Sequence, residues 1–158
     1  MLDESTLDEL DRKITSALNE DGRVSNNEMA RTFDVSEGTI RYRIRRMITN
    51  RHLIVRGEIN PDSLPDKELL MLGVNVASTK DICLIAEDVR MMEGVQCVYV
   101  TSGRYDLMIE ALLDVKFGLM EFLSERLATI EGVVSTESFL VVKSYGKWIS
   151  EPGLDDIS

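Results

Sequence analysis

Guanidinium groups are the side chains of this sequence with the clearest binding chemistry, and they are concentrated in one short stretch. Between Glu37 and Arg56 there are six arginines and a single acidic residue, Glu37 itself. Arginine pairs with phosphates and with the edge of guanine, so such a cluster can bind nucleic acid. The whole chain has a net charge of −10, and from Pro61 onward it has 8 basic and 17 acidic residues. Because salt screens charges beyond roughly 8–10 Å, the local arginine excess decides a phosphate contact. The sequence therefore predicts a small basic element on an acidic body.

The arginine stretch begins in the last of three short helices predicted for residues 1–52. Thr6 is expected to cap the first helix, which should end near Asp21-Gly22. Ser25 and Ser36 are expected to cap the second and third helices. The third helix has one apolar stripe at helical spacing, formed by Ile40, Ile44, Met47 and Ile48.

The second and third helices are separated by a turn at Asp34-Val35, which is helix-turn-helix spacing. Asp34 lies where this turn usually needs a positive φ, which aspartate tolerates better than most residues. Side chains away from the apolar stripe are predicted to face outward and contact DNA. These residues are Ser36, Gly38, Thr39, Arg41, Tyr42, Arg45 and Arg46. Ser36 and Thr39 suit phosphate contacts at the helix N-terminus, and the arginines suit guanine edges or phosphates. The alternative is a solvated arginine-rich face that binds nothing.

The second region contains an internal repeat. Glu93-Gly94-Val95 and Glu131-Gly132-Val133 recur 38 residues apart, and the apolar strands predicted to open at residues 69 and 107 have the same offset. Each unit is predicted to run strand, helix, Glu-Gly-Val, strand, with the glycine in a left-handed helix C-cap. Two such units give βαββαβ, a ferredoxin-like sandwich.

This sandwich leaves one face of its sheet without helices. Residues 95–100 and 139–142 are apolar on both strand faces, so both faces must be covered. Nothing else in the chain is large and apolar enough to cover them. We therefore predict that a second copy does so in a homodimer.

The two regions together resemble the Lrp/AsnC, or feast/famine, family of transcription regulators. In the first region the resemblance is carried by Leu7-Asp8-x-x-Asp11-x-x-Ile14, Asp21-Gly22-Arg23-Val24-Ser25, Met29-Ala30-Arg31, Val35-Ser36-x-x-Thr39-Ile40-x-x-Arg43-Ile44 and Leu53-Ile54. In the second region Thr101-Ser102-Gly103-Arg104-Tyr105-Asp106 resembles the mark of the family's regulatory (RAM) domain. The resemblance covers roughly residues 3–145.

The resemblance implies an α+β protein with an N-terminal winged helix-turn-helix domain and a C-terminal ferredoxin-like RAM domain. It implies binding to double-stranded operator DNA, a homodimer that assembles into an octamer or another higher oligomer, and a small effector, commonly an amino acid, between dimers. The effector residues that it implies are Gly103, Arg104, Tyr105, Asp106, Thr136 and Ser138. Backbone N–H groups beside Gly103 could hold a carboxylate, and Asp106 could hold an ammonium group. Without the resemblance, this segment would be interpreted as a plain hairpin turn.

Glu137, between Thr136 and Ser138, is an acid near the expected effector cleft. It could favour a basic side chain on the effector, or it could simply face solvent. The effector identity therefore stays open, and so does a member that binds no effector.

The expected domains are residues 1–60 for helix-turn-helix and linking strand, 61–67 for a linker, 68–146 for the RAM domain and 147–158 for a C-terminal tail, of which residues 151–158 are expected to be loose. Two cysteines and one histidine argue against a disulfide scaffold and a cysteine- or histidine-rich metal site, and no cofactor is expected. The acidic start does not fit a signal peptide, so a cytoplasmic protein without a membrane segment is expected. We predict that it is not an enzyme. The alternatives are a haem-biosynthesis-type decarboxylase on the same scaffold and a protein-interaction module that has lost DNA binding.

Overall fold

A computed structural model describes residues 6–77 and 80–150, and the chain divides into two compact units after Arg56. The first unit contains helices α1 (Glu9–Glu20), α2 (Asn26–Phe33) and α3 (Glu37–Thr49). Its core is formed by one row from each helix, namely Ile14, Met29, Ala30, Ile40 and Met47. This arrangement confirms the helix-turn-helix predicted for this region.

Local side-chain caps explain where these helices begin. Ser25 and Ser36 accept hydrogen bonds from backbone N–H groups three residues on, at 3.1 and 3.0 Å, as predicted. The cap of α1 is Asp8, so the prediction of Thr6 was wrong. Asp8 accepts from Asp11 N at 2.9 Å and its own N–H donates to Asp11 Oδ2 at 3.2 Å, so the pair satisfies two helix-end donors at once. Asp34 has φ 54°, as the turn was expected to require.

Beyond α3 the chain forms neither helix nor strand from residue 53 to 58. The first unit, as described from residue 6 to 56, therefore has no hairpin wing. Of the linking strand predicted at the end of residues 1–60, Ile59 forms a β-bridge within the described residues: its N–H and carbonyl bond Ile149 at 2.8 and 3.0 Å in the second unit. A short extended segment acquires strand hydrogen bonds only where a partner strand lies beside it.

The second unit is a four-stranded antiparallel sheet in the order β2-β3-β1-β4, which confirms the ferredoxin-like topology. The strands are β1 (Lys67–Val76), β2 (Val95–Val100), β3 (Leu107–Asp114) and β4 (Val133–Leu140). Helix α4 (Ile82–Arg90) follows β1. The second crossover is α5 (Gly118–Glu121), continued by a π-helical turn (Phe122–Arg126) and a 3-10 turn (Leu127–Thr129).

The two glycines of the repeat have φ 86° at Gly94 and 109° at Gly132, which confirms the left-handed conformation predicted for both. A Cβ at Gly94 would lie 2.8 Å from Leu112 O, so packing as well as φ requires glycine there. The repeated Glu-Gly-Val motif therefore marks the return from each crossover to the sheet.

One face of the sheet packs on the crossovers, and its core is centred on Leu72, Ile109 and Phe122. The other face, called the open face below, carries the alternate residues of each strand. At one end Leu69, Leu112 and Ile149 form a small buried cluster. Elsewhere the open face exposes apolar side chains, including Tyr99 at 46%.

The predicted linker, residues 61–67, belongs to the second unit. It forms a 3-10 turn (Pro61–Ser63) with Pro61 buried, and β1 begins at Lys67. Of the predicted tail, residues 151–158 lie outside the described residues, whereas Ile149 is buried. None of the helices in the described ranges has the length and hydropathy needed to cross a membrane.

Candidate DNA-binding surface and ligand site

The outward face of α3 presents two of the predicted arginines. The Arg41 side chain is 68% exposed and pairs with Glu37 one turn earlier, at 2.9 Å. Arg45 lies one turn further on and is exposed, and no carboxylate of the described residues forms an ion pair with it. Tyr42 is also exposed. These three side chains can reach a nucleic acid without breaking any tertiary contact.

The N-terminus of α3 carries the small residues of the predicted surface. Ser36 Oγ accepts the Thr39 N–H and lies 2.8 Å from Thr39 Oγ1, so both hydroxyls sit at the helix end. A Cβ at Gly38 would meet only Ser36 Oγ, at 3.7 Å, so the fold itself does not demand glycine. The open space leaves room for a close approach of another molecule.

Arg46 differs from the prediction. Its guanidinium donates to Asp11 Oδ2, and Arg43 lies 3.3 Å from Asp11 Oδ1 and also pairs with Asp8. The Asp11 side chain is fully buried, while that of Arg46 is only 27% exposed. A buried carboxylate needs charged or hydrogen-bonding partners, so Arg46 turns back towards α1. The outward orientation predicted for Arg46 is therefore corrected.

The same network affects Asp8. The hydrogen bond from Asp11 N–H, followed by the one from Arg43, lowers the pKa of the Asp8 carboxyl from its usual 3.8. Both contacts favour the ionised form, so Asp8 keeps its charge at neutral pH. The network thus joins the start of α1 to the middle of α3 through charged groups.

Sequence reasoning did not include the groove beside α3. It encloses about 350 Å³ and is lined by Asn26, Arg41, Ile44, Arg45, Ile48 and Thr49. Ile48 was assigned to the core stripe, but it is about half exposed, whereas Ile40 and Met47 are buried. The position of Ile48 at the edge of the stripe was the sequence signal that it could lie outside the core. An apolar floor between two arginines suits a base methyl group next to phosphates.

In the second unit, Tyr105 organises the predicted ligand turn. Its ring lies on Gly73 of β1, where an added Cβ would come within 2.5 Å of the ring. The Tyr105 hydroxyl donates to Glu137 on β4, and this hydrogen bond raises the pKa of the tyrosine above its usual 10.0. Phe139 meets the ring edge-on at a centroid distance of 6.3 Å. Glycine at position 73 is therefore what allows an aromatic ring to lie on this sheet.

Arg104 covers the outer side of the same ring. Its guanidinium carbon lies 5.4 Å from the Tyr105 ring centroid, and its Nη2 lies 3.2 Å from Glu137 Oε2. Arg104, Tyr105 and Glu137 thus form one polar cluster at the end of the open face. Glu137 was absent from the predicted effector residues, although its position between two of them was a signal.

Asp106 closes the end of the sheet. Its N–H donates to Val74 O at 3.0 Å, and its Oδ2 accepts from Val76 N–H at 2.8 Å. One carboxylate oxygen is therefore used to hold the turn against β1. No residue in the described ranges bonds the other oxygen, which leaves it for the ammonium contact that was predicted.

Not all of the predicted effector residues lie with this cluster. Thr136 and Ser138 pair with Val74 and Leu72, whose side chains belong to the crossover-side core. Since side chains alternate along a strand, they lie on the opposite face of β4 from Glu137. Gly103 has open space where a Cβ would be. The described residues contain no group of three His, Cys, Asp or Glu side chains able to hold a metal ion.

Comparison with known proteins matches both units to families. The model of the AsnC-type helix-turn-helix domain matches residues 7–48, and that of the Lrp/AsnC ligand binding domain matches residues 69–147. An uncharacterized HTH-type transcriptional regulator of Pyrococcus furiosus is 34% identical over 145 residues, covering 90% of this chain and 95% of the relative.

Solved structures agree with this match. Escherichia coli AsnC superimposes with a TM-score of 0.70 at 27% identity, covering 88% of this chain and 94% of AsnC. A Neisseria meningitidis regulator solved as an L-Met complex shares the fold, with a TM-score of 0.69 at 24% identity over 87% of this chain and 91% of that one. The chain therefore belongs to the Lrp/AsnC family of DNA-binding transcriptional regulators.

Proposed function

We propose that α3 reads operator DNA in the major groove through Arg41, Tyr42 and Arg45. Ser36 and Thr39 would contact phosphates at the helix N-terminus, and the space at Gly38 lets the backbone approach. The observation that carries this proposal is the division of the four α3 arginines. Arg43 and Arg46 are held by Asp11 and Asp8, whereas Arg41 and Arg45 face outward.

We further propose that the second unit senses an amino acid at the turn of residues 103–106. The support is the ligand-binding family match together with a polar cluster that contains both charge signs. Such a cluster can bind both the carboxylate and the ammonium group of an amino acid. Thr136 and Ser138 lie on the other face of β4. They could therefore contact a ligand only if a second copy lay beside this strand. Neither sensing nor regulation requires a reaction, so we propose a regulator and not an enzyme.

The proposed assembly is a homodimer that covers the open face. Two observations support this assembly. Tyr99 and Phe139 are exposed among other apolar side chains of the open face, and no helix of the described second unit covers that face. A dimer would bring two copies of α3 to half-sites about one helical turn apart. Higher assembly to an octamer remains part of the proposal, as does action in the cytoplasm, where operator DNA is found.

The test is a salt series of binding measurements with the chain's own promoter DNA, followed by footprinting. We expect paired protected half-sites and an affinity that falls steeply with salt, because phosphate contacts release counterions. An affinity independent of salt, or single unpaired footprints, would contradict the proposal. A thermal-shift screen of the twenty amino acids tests the sensing half.

A further inference from the structure

We propose that the amino acid sensed by the second unit has a cationic side chain, and that Glu137 is the residue that selects it. This inference rests on the proposed sensing function of the turn. It goes beyond it by naming the class of ligand, a dibasic amino acid such as lysine, arginine or ornithine.

The turn of residues 103–106 and the β4 carboxylate that bonds it together contain more negative than positive charge. Arg104 supplies one cation, while Asp106 and Glu137 supply two carboxylates. The neighbouring pair on the same face, Asn75 and Ser135, is neutral, with Asn75 Nδ2 donating to Ser135 Oγ at 3.0 Å. A ligand with two cations and one carboxylate matches this set, whereas a neutral amino acid has one of each.

The existing ion pair shows why the extra charge matters. Glu137 is paired with Arg104 at 3.2 Å. A ligand carboxylate that binds Arg104 competes with Glu137 for its cation. With a neutral amino acid, Glu137 is left with the Tyr105 hydroxyl alone. A cationic side chain on the ligand replaces Arg104 as the partner of Glu137. Breaking the Arg104–Glu137 pair therefore costs less free energy when the ligand is dibasic.

Glu137 is also held ready for such a contact. Its carboxylate accepts from Tyr105, whose ring is fixed between Gly73 and Arg104 and bordered by Phe139. The Glu137 side chain is 43% exposed in the single chain, and the inference requires the proposed homodimer to leave it open to the ligand. A carboxylate that is both oriented and accessible needs little rearrangement to bind a cation.

The experiment compares L-lysine with L-norleucine, which has the same chain length without the side-chain charge. Binding to the full-length protein is measured by thermal shift and by titration calorimetry. We expect lysine to bind about tenfold more tightly, the size of one charge-assisted contact. In Glu137→Gln, which keeps an acceptor for Tyr105, we expect the preference to fall to about twofold or less, with tighter norleucine binding because its carboxylate no longer competes with Glu137 for Arg104.

Glu131→Gln is the matched control, because Glu131 is an exposed carboxylate paired with Lys80 outside the cluster. It should keep the wild-type preference. Tighter binding of norleucine, methionine or leucine than of lysine to the wild-type protein would overturn the inference and leave amino-acid sensing intact. That wild-type comparison decides the matter even when a variant fails to fold. If none of the twenty amino acids shifts the melting temperature, the sensing function itself fails, and this inference with it.

Discussion

Arg45 and Arg46 are neighbours of the same residue type on α3, yet they lie in different surroundings and have different predicted roles. Arg45 is exposed and faces away from the helical core, whereas Arg46 donates to the buried Asp11. We therefore predict that Arg45→Ala weakens DNA binding and leaves stability unchanged. Arg46→Ala should lower stability and have little effect on DNA binding by the folded protein.

The size of the stability effect follows from what Asp11 keeps. Without Arg46, the buried carboxylate still has Arg43 at 3.3 Å and the Asp8 N–H at 3.2 Å. The loss should therefore be about 1–3 kcal/mol, as for one hydrogen bond to a charged group, and less than the 3–5 kcal/mol typical of an orphaned buried charge. Arg45→Ala should change the free energy of unfolding by less than about 0.5 kcal/mol.

The DNA effects should run the other way. Loss of a base-edge or phosphate contact by Arg45 should cost about 1–3 kcal/mol, which is roughly 5- to 150-fold in affinity. Affinity is measured by fluorescence anisotropy with promoter DNA, and stability by urea unfolding followed by far-ultraviolet circular dichroism. If Arg46→Ala lost as much DNA affinity as Arg45→Ala with unchanged stability, Arg46 would be free of Asp11 in solution and our reasoning would be refuted.

Three further predictions concern acid stability, assembly and the ligand turn. The pKa of Asp8 is lowered in the folded chain, so its contribution to stability is present above pH about 4 and lost as pH falls further. Asp8→Asn should therefore weaken the acid-induced loss of stability measured by urea unfolding. A pH profile identical to that of the wild type would contradict this. Tyr99→Glu places a charge on the open face and should dissociate the dimer, as measured by light scattering. The control Leu84→Glu, on the exposed side of α4, should leave the dimer intact. A dimer that persists in Tyr99→Glu would show that the interface lies elsewhere. Gly73→Ala puts a Cβ within 2.5 Å of the Tyr105 ring and should abolish the amino-acid-induced thermal shift, so a full response would clear the ring of that role.

The sequence was sufficient for features whose causes are local. Ser25, Ser36 and Asp34 could be placed because helix caps and a positive-φ turn depend on a few consecutive residues. The repeat placed Gly94 and Gly132 for the same reason, since each ends a crossover at a fixed distance from an apolar strand. Periodicity was likewise enough to identify most of the buried stripe of α3.

Tertiary structure decided the pairings between distant residues. A helical wheel places Arg46 outside the stripe, but it cannot show that Asp11, 35 residues earlier, lies buried within reach. The register of β1 with β4 decides that Glu137 shares a face with Tyr105 while Thr136 and Ser138 do not, because a strand alternates its side chains. Local sequence therefore determined which elements form, and the packing of those elements determined which charged groups are neutralised internally and which remain available for DNA or a ligand.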